Sequence, residues 1–135
     1  MIYVVLAVLA AATVAGLIYK ARYGRLRNDG GALPPGLLPA GDPTGGAVTL
    51  LHFTSATCVP CRQVRAVCAD LVQDLADVRH VEVDADTHLD AVRSLDIWRL
   101  PTLLIVDRRG RVARRTVGVP DRAELRRSVT EVLAA

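Results

Sequence analysis

Two cysteines three positions apart, Cys58 and Cys61, stand between an apolar stretch and a helical pattern, and this arrangement constrains the fold more than any other feature of the chain. Residues 48–53 are too apolar for a strand with one wet face, which predicts a strand buried on both sides of a sheet. Apolar residues then recur at helical spacing over residues 62–75. The two thiols therefore lie at the start of a helix, on one side of its first turn and close enough to form a disulfide.

The start of a helix also activates a cysteine. Unpaired backbone N–H groups and the positive end of the helix dipole favour the thiolate of Cys58 over its thiol. A single C-x-x-C motif is also half of a zinc site, so an inert or metal-bound pair stays open as an alternative. Because only two of the usual four close ligands are evident, we expect no metal site.

An apolar segment occupies residues 2–19, which contain no charged residue and no Pro, Asn or Gln. As a helix with a rise of about 1.5 Å per residue it spans roughly 27 Å, near the lower limit for crossing a bilayer. A cleaved signal peptide is the competing interpretation, but such peptides begin with positive residues and have a shorter apolar core. We expect residues 1–20 to be an uncleaved transmembrane anchor that contacts the lipid bilayer through residues 2–19.

Positive residues crowd only the C-terminal flank of this segment, where they are Lys20, Arg22, Arg25 and Arg27. The positive-inside rule then predicts a single-pass protein of the cell membrane with its soluble domain in the cytoplasm. An extracytoplasmic domain is the alternative, because a C-x-x-C pair occurs on either side of a membrane. The net charge is +3, but the sequence contains no aromatic pattern or motif that would support nucleic-acid binding, so we expect none.

Gly, Pro, Ala and short polar residues dominate residues 28–47, where no apolar period survives. Together with the basic flank they predict a linker over residues 21–47, part stiff and part flexible. The alternative is that part of the segment packs on the domain as an irregular arm. The folded domain is expected to span residues 48–135.

The rest of the chain predicts an α/β domain. Residues 78–83 alternate as a second strand and residues 89–95 form a short helix, which makes a unit of two parallel strands with a helical crossover. Residues 102–106 and 111–117 predict a hairpin, and Asp121 begins the last helix with Glu124 three residues later, as in a capping box. The order β-α-β-α-β-β-α implies one mixed sheet of about four strands with helices on both faces.

Residues 51–62, with the sequence L-H-F-T-S-A-T-C-V-P-C-R, resemble the active-site strand, loop and helix start of the thioredoxin family. Leu100-Pro101-Thr102 is similar to the substrate-loop proline of that family, and Gly110 and Gly118 fall where it has a hairpin turn and a late glycine. The resemblance covers residues 48–133. It implies a thioredoxin-like fold and a thiol–disulfide oxidoreductase, here preceded by a transmembrane helix.

Three departures from the family accompany this resemblance. The segment before residue 48 offers no pattern for the strand and helix that usually precede the active-site strand. Thr57 stands where the family commonly has Trp, and His52 stands where it often buries an aspartate. The usual substrate-facing surface and the usual proton acceptor are therefore both altered.

The resemblance implies roles for the residues around the motif. Cys58 would attack a substrate disulfide and Cys61 would resolve the mixed disulfide, with the Cys58–Cys61 disulfide as redox centre and no other cofactor. Pro60 should restrain the loop and keep the sulfurs aligned. His52, expected to titrate near neutrality, is the candidate proton acceptor for Cys61; the alternative is a histidine satisfied by a backbone partner in a buried strand.

Substrate binding is expected on the loop that contains Pro101. The resemblance implies a cis peptide between Leu100 and Pro101, and a backbone there that pairs with an extended substrate segment. Trp98 on the same loop is a candidate for the aromatic contact that Thr57 does not supply, or else it covers an edge of the core. The implied partners are protein disulfides and an upstream thiol electron donor.

We expect a reductase rather than an oxidant, because Pro60 stands within the motif where thioredoxins usually have a proline. The alternative is a redox-linked binding or assembly factor that holds a client or a metal through the same cysteines. Cys68 reads as a buried structural thiol. His80 and His88 gain no role from their neighbours in sequence.

Overall fold

A mixed five-stranded sheet forms the centre of the domain, and the computed structural model describes residues 1–38 and 45–135. The strands are β1 (Arg27–Asn28), β2 (Val48–Thr54), β3 (Val78–Asp84), β4 (Thr102–Val106) and β5 (Val112–Val117), and the helices are α1 (Ile2–Arg22), α2 (Cys61–Asp74), α3 (Leu89–Ser94) and α4 (Arg122–Ala134). The order across the sheet is β1-β5-β4-β2-β3, in which only β2 and β3 are parallel. The predicted α/β fold with a parallel unit and a hairpin is confirmed.

Both faces of the sheet are covered, which explains why every residue of β2 except Thr54 is buried. One face packs against α2 and α4 in a core that includes Leu50, Val64, Leu71, Leu125 and Val129. The other face packs against α3 and the segment before β2 in a second core that includes Leu37, Leu51, Phe53, Ala91 and Leu104. Successive residues of β2 therefore enter opposite cores, as alternation along a strand requires.

The segment between α1 and β2 is attached to the domain over the residues that the structure describes. Arg27 pairs with Arg115 and Asn28 with Arg114, and an isolated bridge joins Ala32 to Arg111. Leu37 is 8% exposed in the second core. Residues 27–38 are thus an arm on the sheet edge rather than a free linker, and the predicted count of about four strands omits β1. The part of the predicted linker at residues 39–44 lies outside the described residues.

A half-buried ion pair secures this arm. The Asp29 carboxylate accepts a hydrogen bond of 2.8 Å from Arg115 Nε, and each side chain is 18% exposed. The same carboxylate accepts hydrogen bonds from the backbone N–H groups of Gly30 and Gly31. Burial acts to raise the pKa of Asp29, but these hydrogen bonds and the charge of Arg115 outweigh it and keep the pKa below its ordinary value.

Helix α1 is exposed along its whole length, and in the described part of the chain it is the one helix long and apolar enough to cross a membrane, with a mean hydropathy of 2.4. By length and composition it matches a membrane span or a signal sequence equally well. Its basic residues, Lys20 and Arg22, lie in its last turn.

The C-terminal end of α1 joins the sheet at the end of β5. The backbone N–H of Gly24 donates a 2.7 Å hydrogen bond to the carbonyl of Val117, and the Tyr23 ring lies against Gly118. Gly118 has a φ of +96°, and a Cβ built there would lie 2.5 Å from the Tyr23 ring. The Arg99 guanidinium lies 4.9 Å from the centre of the Tyr19 ring and donates to its hydroxyl.

The start of α4 also contacts this junction. The Asp121 side chain accepts a 3.0 Å hydrogen bond from the Glu124 N–H, which confirms the predicted cap. The Glu124 carboxylate accepts instead from the N–H of Leu26, at 3.2 Å. The second half of the predicted capping box is therefore used to attach the chain that follows α1.

Candidate active site

Three chain segments leave the sheet at the same end, and together they build the site. Phe53 near the end of β2 pairs with Thr102 at the start of β4, and Thr102 pairs with Val117 at the end of β5. The loop with the C-x-x-C motif, the loop before Pro101 and the residue after β5 are therefore neighbours. Since Gly24 binds Val117, the end of α1 also reaches this end of the sheet.

Cys58 and Cys61 form a disulfide with a Cα–Cα distance of 5.4 Å. Cys61 is the first residue of α2 and is 1% exposed, whereas Cys58 precedes the helix and is partly exposed. Pro60 is the N-cap residue and contributes no side-chain hydrogen bond to the helix start. One sulfur is thus open to a partner and the other lies behind it, at the positive end of the helix dipole.

The peptide bond between Leu100 and Pro101 is cis, as the resemblance implies. Two hydrogen bonds hold this loop: Pro101 O accepts from the Gly118 N–H at 2.8 Å, and the Thr102 hydroxyl donates to Arg99 O at 2.6 Å. Leu100 is half-buried and Pro101 is buried. The loop is fixed by its own backbone and by the residue that follows β5.

Trp98 projects into solvent from the same loop. Its ring is 86% exposed, and its Nε1 donates a 2.6 Å hydrogen bond to the Asp96 carboxylate. A ring with this exposure does not cover the core, which removes one of the two interpretations of this residue. Thr57 is exposed at the other loop, next to Val59, which is 69% exposed.

His52 is completely buried on β2. Neither ring nitrogen has a hydrogen-bond partner within residues 1–38 and 45–135, so the backbone partner of the alternative interpretation is not found there. The nearest acidic atom is Glu82 Oε1, 3.6 Å from Nδ1. Burial, assisted by the nearby His80, lowers the pKa of His52 to about 4. The expectation that this histidine titrates near neutrality is therefore wrong, because removal from water penalises the imidazolium.

His80 and Glu82 join His52 through the register of the two parallel strands. His52 pairs with Glu82 and Leu50 with His80, so all three side chains lie beside one another on the face that α2 covers. The rings of His52 and His80 stack with centroids 5.6 Å apart. Sequence reasoning missed His80, because only the strand register shows that it faces His52.

Arg65 of α2 reaches this group from outside. It donates two hydrogen bonds to the Glu82 carboxylate, and its side chain is 52% exposed. Burial acts to raise the pKa of Glu82, but Arg65 and the two histidines outweigh it and lower the pKa. Burial likewise lowers the pKa of His80. The group therefore carries a neutral pair of imidazoles beside a carboxylate at neutral pH.

Cys68 lies on the buried side of α2 and is 0% exposed. Burial raises the pKa of its thiol to about 12, so the thiol stays protonated and unreactive at neutral pH. This agrees with the expected structural role.

Comparison with known proteins gives consistent matches. A sequence model of the family described as Thioredoxin matches residues 45–131. Thioredoxin of Mycobacterium tuberculosis is 28% identical over 85 residues, which cover 62% of this chain and 72% of that protein. Thioredoxin of Bacillus subtilis is 28% identical over 91 residues, which cover 67% of this chain and 86% of that protein.

Solved structures are similar in the same region. Chloroplastic thioredoxin z superposes with a TM-score of 0.59 at 22% identity and covers 67% of this chain and 82% of its own. Mitochondrial thioredoxin 3 from Saccharomyces cerevisiae, in its oxidised form, has a TM-score of 0.56 at 21% identity and covers 65% and 81%. At these identities the likeness concerns the fold.

Proposed function

Because this chain belongs to the thioredoxin family, with the family match covering residues 45–131, we propose that it is a membrane-tethered reductase of protein disulfides. That it is a thiol–disulfide oxidoreductase follows from the family and from the Cys58–Cys61 disulfide at the helix start. The observation that carries the proposal is the contrast between a partly exposed Cys58 and a Cys61 that is 1% exposed.

The exchange proceeds in two steps. The Cys58 thiolate attacks one sulfur of a substrate disulfide, which forms a mixed disulfide and releases the first substrate thiolate. Cys61 then loses its proton, and its thiolate attacks the Cys58 sulfur, which releases the second substrate thiolate. The substrate gains two electrons and the enzyme is left with the Cys58–Cys61 disulfide. A dithiol donor returns the enzyme to its reduced form by the same exchange in reverse, and no other cofactor is needed.

We assign the proton of Cys61 to His52 during the second step. The imidazole is neutral at pH 7, so a nitrogen lone pair is free, and Glu82 lies 3.6 Å from Nδ1 to stabilise a transient imidazolium. With a pKa of about 4, His52 would hold the proton only briefly before it passes to solvent through the exposed edge at Glu82. Pro60 keeps the two sulfurs aligned.

Substrate binding is assigned to the two loops at this end of the sheet. The backbone beside Pro101 and Leu100 would pair with an extended segment of the client. Trp98, at 86% exposed, supplies the aromatic contact, and Thr57 borders the sulfur of Cys58 in place of the usual tryptophan.

The tether would bring this site to the membrane surface. The end of α1 meets the same end of the sheet as the two active-site loops, through Gly24 on β5 and Arg99 on Tyr19. A cavity of about 540 Å³ opens at this junction, and it is lined by Tyr19, Arg22, Tyr23, Arg25, Leu26, Arg27, Arg99 and Val117. Arginines at the end of an apolar helix suit the headgroup region of a bilayer. Clients with disulfides close to the membrane are the expected substrates.

The flanking positive charge supports a cytoplasmic domain. A protease-protection assay on sealed vesicles tests this orientation: the domain should be digested only from the cytoplasmic side. Digestion only from the other side would reverse the assignment.

Reduction of insulin by the full chain in detergent micelles, with a dithiol supply and a chelator present, tests the activity itself. We expect many turnovers per enzyme molecule and none for Cys58→Ser. Stoichiometric retention of a client or a metal without turnover would support the binding-factor alternative instead.

A further inference from the structure

The group formed by His52, His80 and Glu82 presents three potential metal ligands on two neighbouring strands. One ligand atom from each side chain can be chosen so that all three lie within 4.8 Å of one another. From the sequence we expected no metal site, because only two of the usual four close ligands are evident at the cysteine motif, and His80 gained no role from its neighbours in the sequence.

Buried polar atoms without hydrogen-bond partners mark this group as a candidate ligand site. His52 is 0% exposed and both of its ring nitrogens lack a hydrogen-bond partner among the described residues, and so does Nε2 of His80. Buried polar side-chain atoms in native proteins nearly always have a partner, whether protein, water or ion. A neutral imidazole carries one lone-pair nitrogen and one N–H. One nitrogen of each ring and the Glu82 carboxylate can therefore give lone pairs to a single acceptor, and a metal cation is such an acceptor.

The distances suit a tetrahedral ion. Bonds of about 2.0–2.2 Å to imidazole nitrogen and carboxylate oxygen place neighbouring ligand atoms of a tetrahedral ion about 3.3–3.6 Å apart. His52 Nδ1 lies 3.6 Å from Glu82 Oε1. Because the three ligand atoms already lie within 4.8 Å of one another, side-chain movements of roughly 1–1.5 Å bring them to these separations.

We propose that His52, His80 and Glu82 bind one divalent transition-metal ion, for which Zn²⁺ is the best match. Two imidazoles and a carboxylate form a ligand set that zinc sites with an open fourth position use, and thiolates are not required. The ion would hold β2 to β3 beneath α2.

Arg65 controls access to the site. Its hydrogen bonds to Glu82 occupy the carboxylate, and Arg65 must swing away before the ion enters. The Arg65 side chain is 52% exposed and that of Glu82 35%, so the arginine has water to move into and the ion has a route from solvent.

Zinc binding to the full chain in detergent micelles, without a histidine tag and with the disulfide oxidised, tests the proposal. Oxidation removes Cys58 and Cys61 as ligands, so the result is independent of the binding-factor alternative and of turnover. We expect one Zn²⁺ per chain by titration calorimetry, and at least tenfold weaker binding for His80→Gln and for Glu82→Gln. Glu82→Gln changes a solvent-accessible position, so this variant should fold and still report on the metal site if His80→Gln does not fold.

His88→Gln is the matched control, because His88 is an exposed histidine outside the group; it should bind Zn²⁺ as the unaltered chain does. Arg65→Gln should bind Zn²⁺ more tightly, because it frees Glu82. Absence of stoichiometric binding to the unaltered chain would overturn the proposal, and so would equal binding by His80→Gln and Glu82→Gln.

Discussion

The rings of His52 and His80 stack on neighbouring parallel strands, 5.6 Å apart and with an angle of 20° between their planes. A second positive charge at that distance in a buried place is unfavourable, and burial lowers the pKa of both histidines. The pair is therefore neutral in the folded protein at physiological pH. This property links the stability of the domain to pH.

Acid should destabilise the fold in a window set by His52. The unfolded histidine binds a proton near its ordinary pKa of 6.5, and the folded one only near a pKa of about 4. The unfolded state thus holds more protons between these values, and stability falls as pH falls through the window. Lowering the pH from 7.5 to 5 should cost about 2 kcal/mol from this residue. Urea unfolding in detergent micelles at both pH values measures it.

The matched variants for this measurement are His52→Gln and His88→Gln. The first should lose about 2 kcal/mol of the pH dependence, and what remains would come from His80. The second should keep all of it, since His88 is exposed. Equal pH dependence in His52→Gln and the unaltered chain would contradict the neutral buried state.

The resolving step should slow when His52 is replaced. General-base assistance is worth about 10²-fold or more, so His52→Gln should retard release of a client from the Cys58 mixed disulfide by about that factor at pH 7. Stopped-flow measurement of the release, after rapid formation of the mixed disulfide, separates this step from the first attack. An unchanged rate across neutral pH would remove His52 from the mechanism.

A methyl group at Gly118 should disturb the junction with α1. Gly118→Ala places a Cβ 2.5 Å from the Tyr23 ring and imposes a side chain on a φ of +96°. We expect a loss of about 3 kcal/mol, of which about 1–2 kcal/mol reflects the backbone conformation. In a Tyr23→Ala background the steric part should vanish and only the backbone part remain. Urea unfolding of the four chains gives the coupling, and strict additivity would contradict the contact.

The arm on the sheet edge should open when its ion pair is broken. Asp29→Asn replaces the carboxylate that accepts a half-buried hydrogen bond from Arg115. The loss should lower the free energy of detaching the arm by about 1–3 kcal/mol, so the arm should detach more often. Trypsin should then cut faster after Arg25 and Arg27. Asp90→Asn is the control, because the Asp90 side chain is fully exposed and its contact with Arg93 is 4.0 Å long. Equal cleavage in both variants would argue against the role of Asp29.

Trp98 should matter for protein substrates and not for the chemistry. Trp98→Ala should raise KM for insulin about tenfold, as expected for an aromatic anchor, and leave the reaction with a small soluble disulfide unchanged. Leu89→Ala, which removes another exposed apolar side chain at 54% exposure, should change neither. An unchanged KM in Trp98→Ala would place the client elsewhere.

The helices and strands with long apolar periods could be predicted from the sequence, and so could the cysteine motif and the proline loop. Two parts could not. The arm at Arg27 and Asn28 pairs through its backbone over two residues, which leaves no periodic pattern. Leu33, Leu37 and Leu38 pack on the second core, but they stand in a Gly- and Pro-rich segment without an apolar period.

The pKa of His52 and its contact with His80 could not be predicted from the sequence either. Its low pKa depends on how deeply the strand is buried, and its contact with His80 depends on the register between β2 and β3. The predicted cap at Asp121 formed, but Glu124 turned to Leu26 because the chain after α1 brings an N–H group within its reach. Long-range pairing decided each of these points, and local pattern does not report it.

In the proposed exchange Cys58 attacks and Cys61 resolves, and the most direct test is to trap mixed disulfides on a Cys61→Ser variant in cells. We expect client proteins bound covalently through Cys58, enriched in membrane-adjacent proteins, released by reductant, and absent from the Cys58→Ser, Cys61→Ser double variant. Equal capture of clients by the double variant, or no capture by Cys61→Ser, would contradict it.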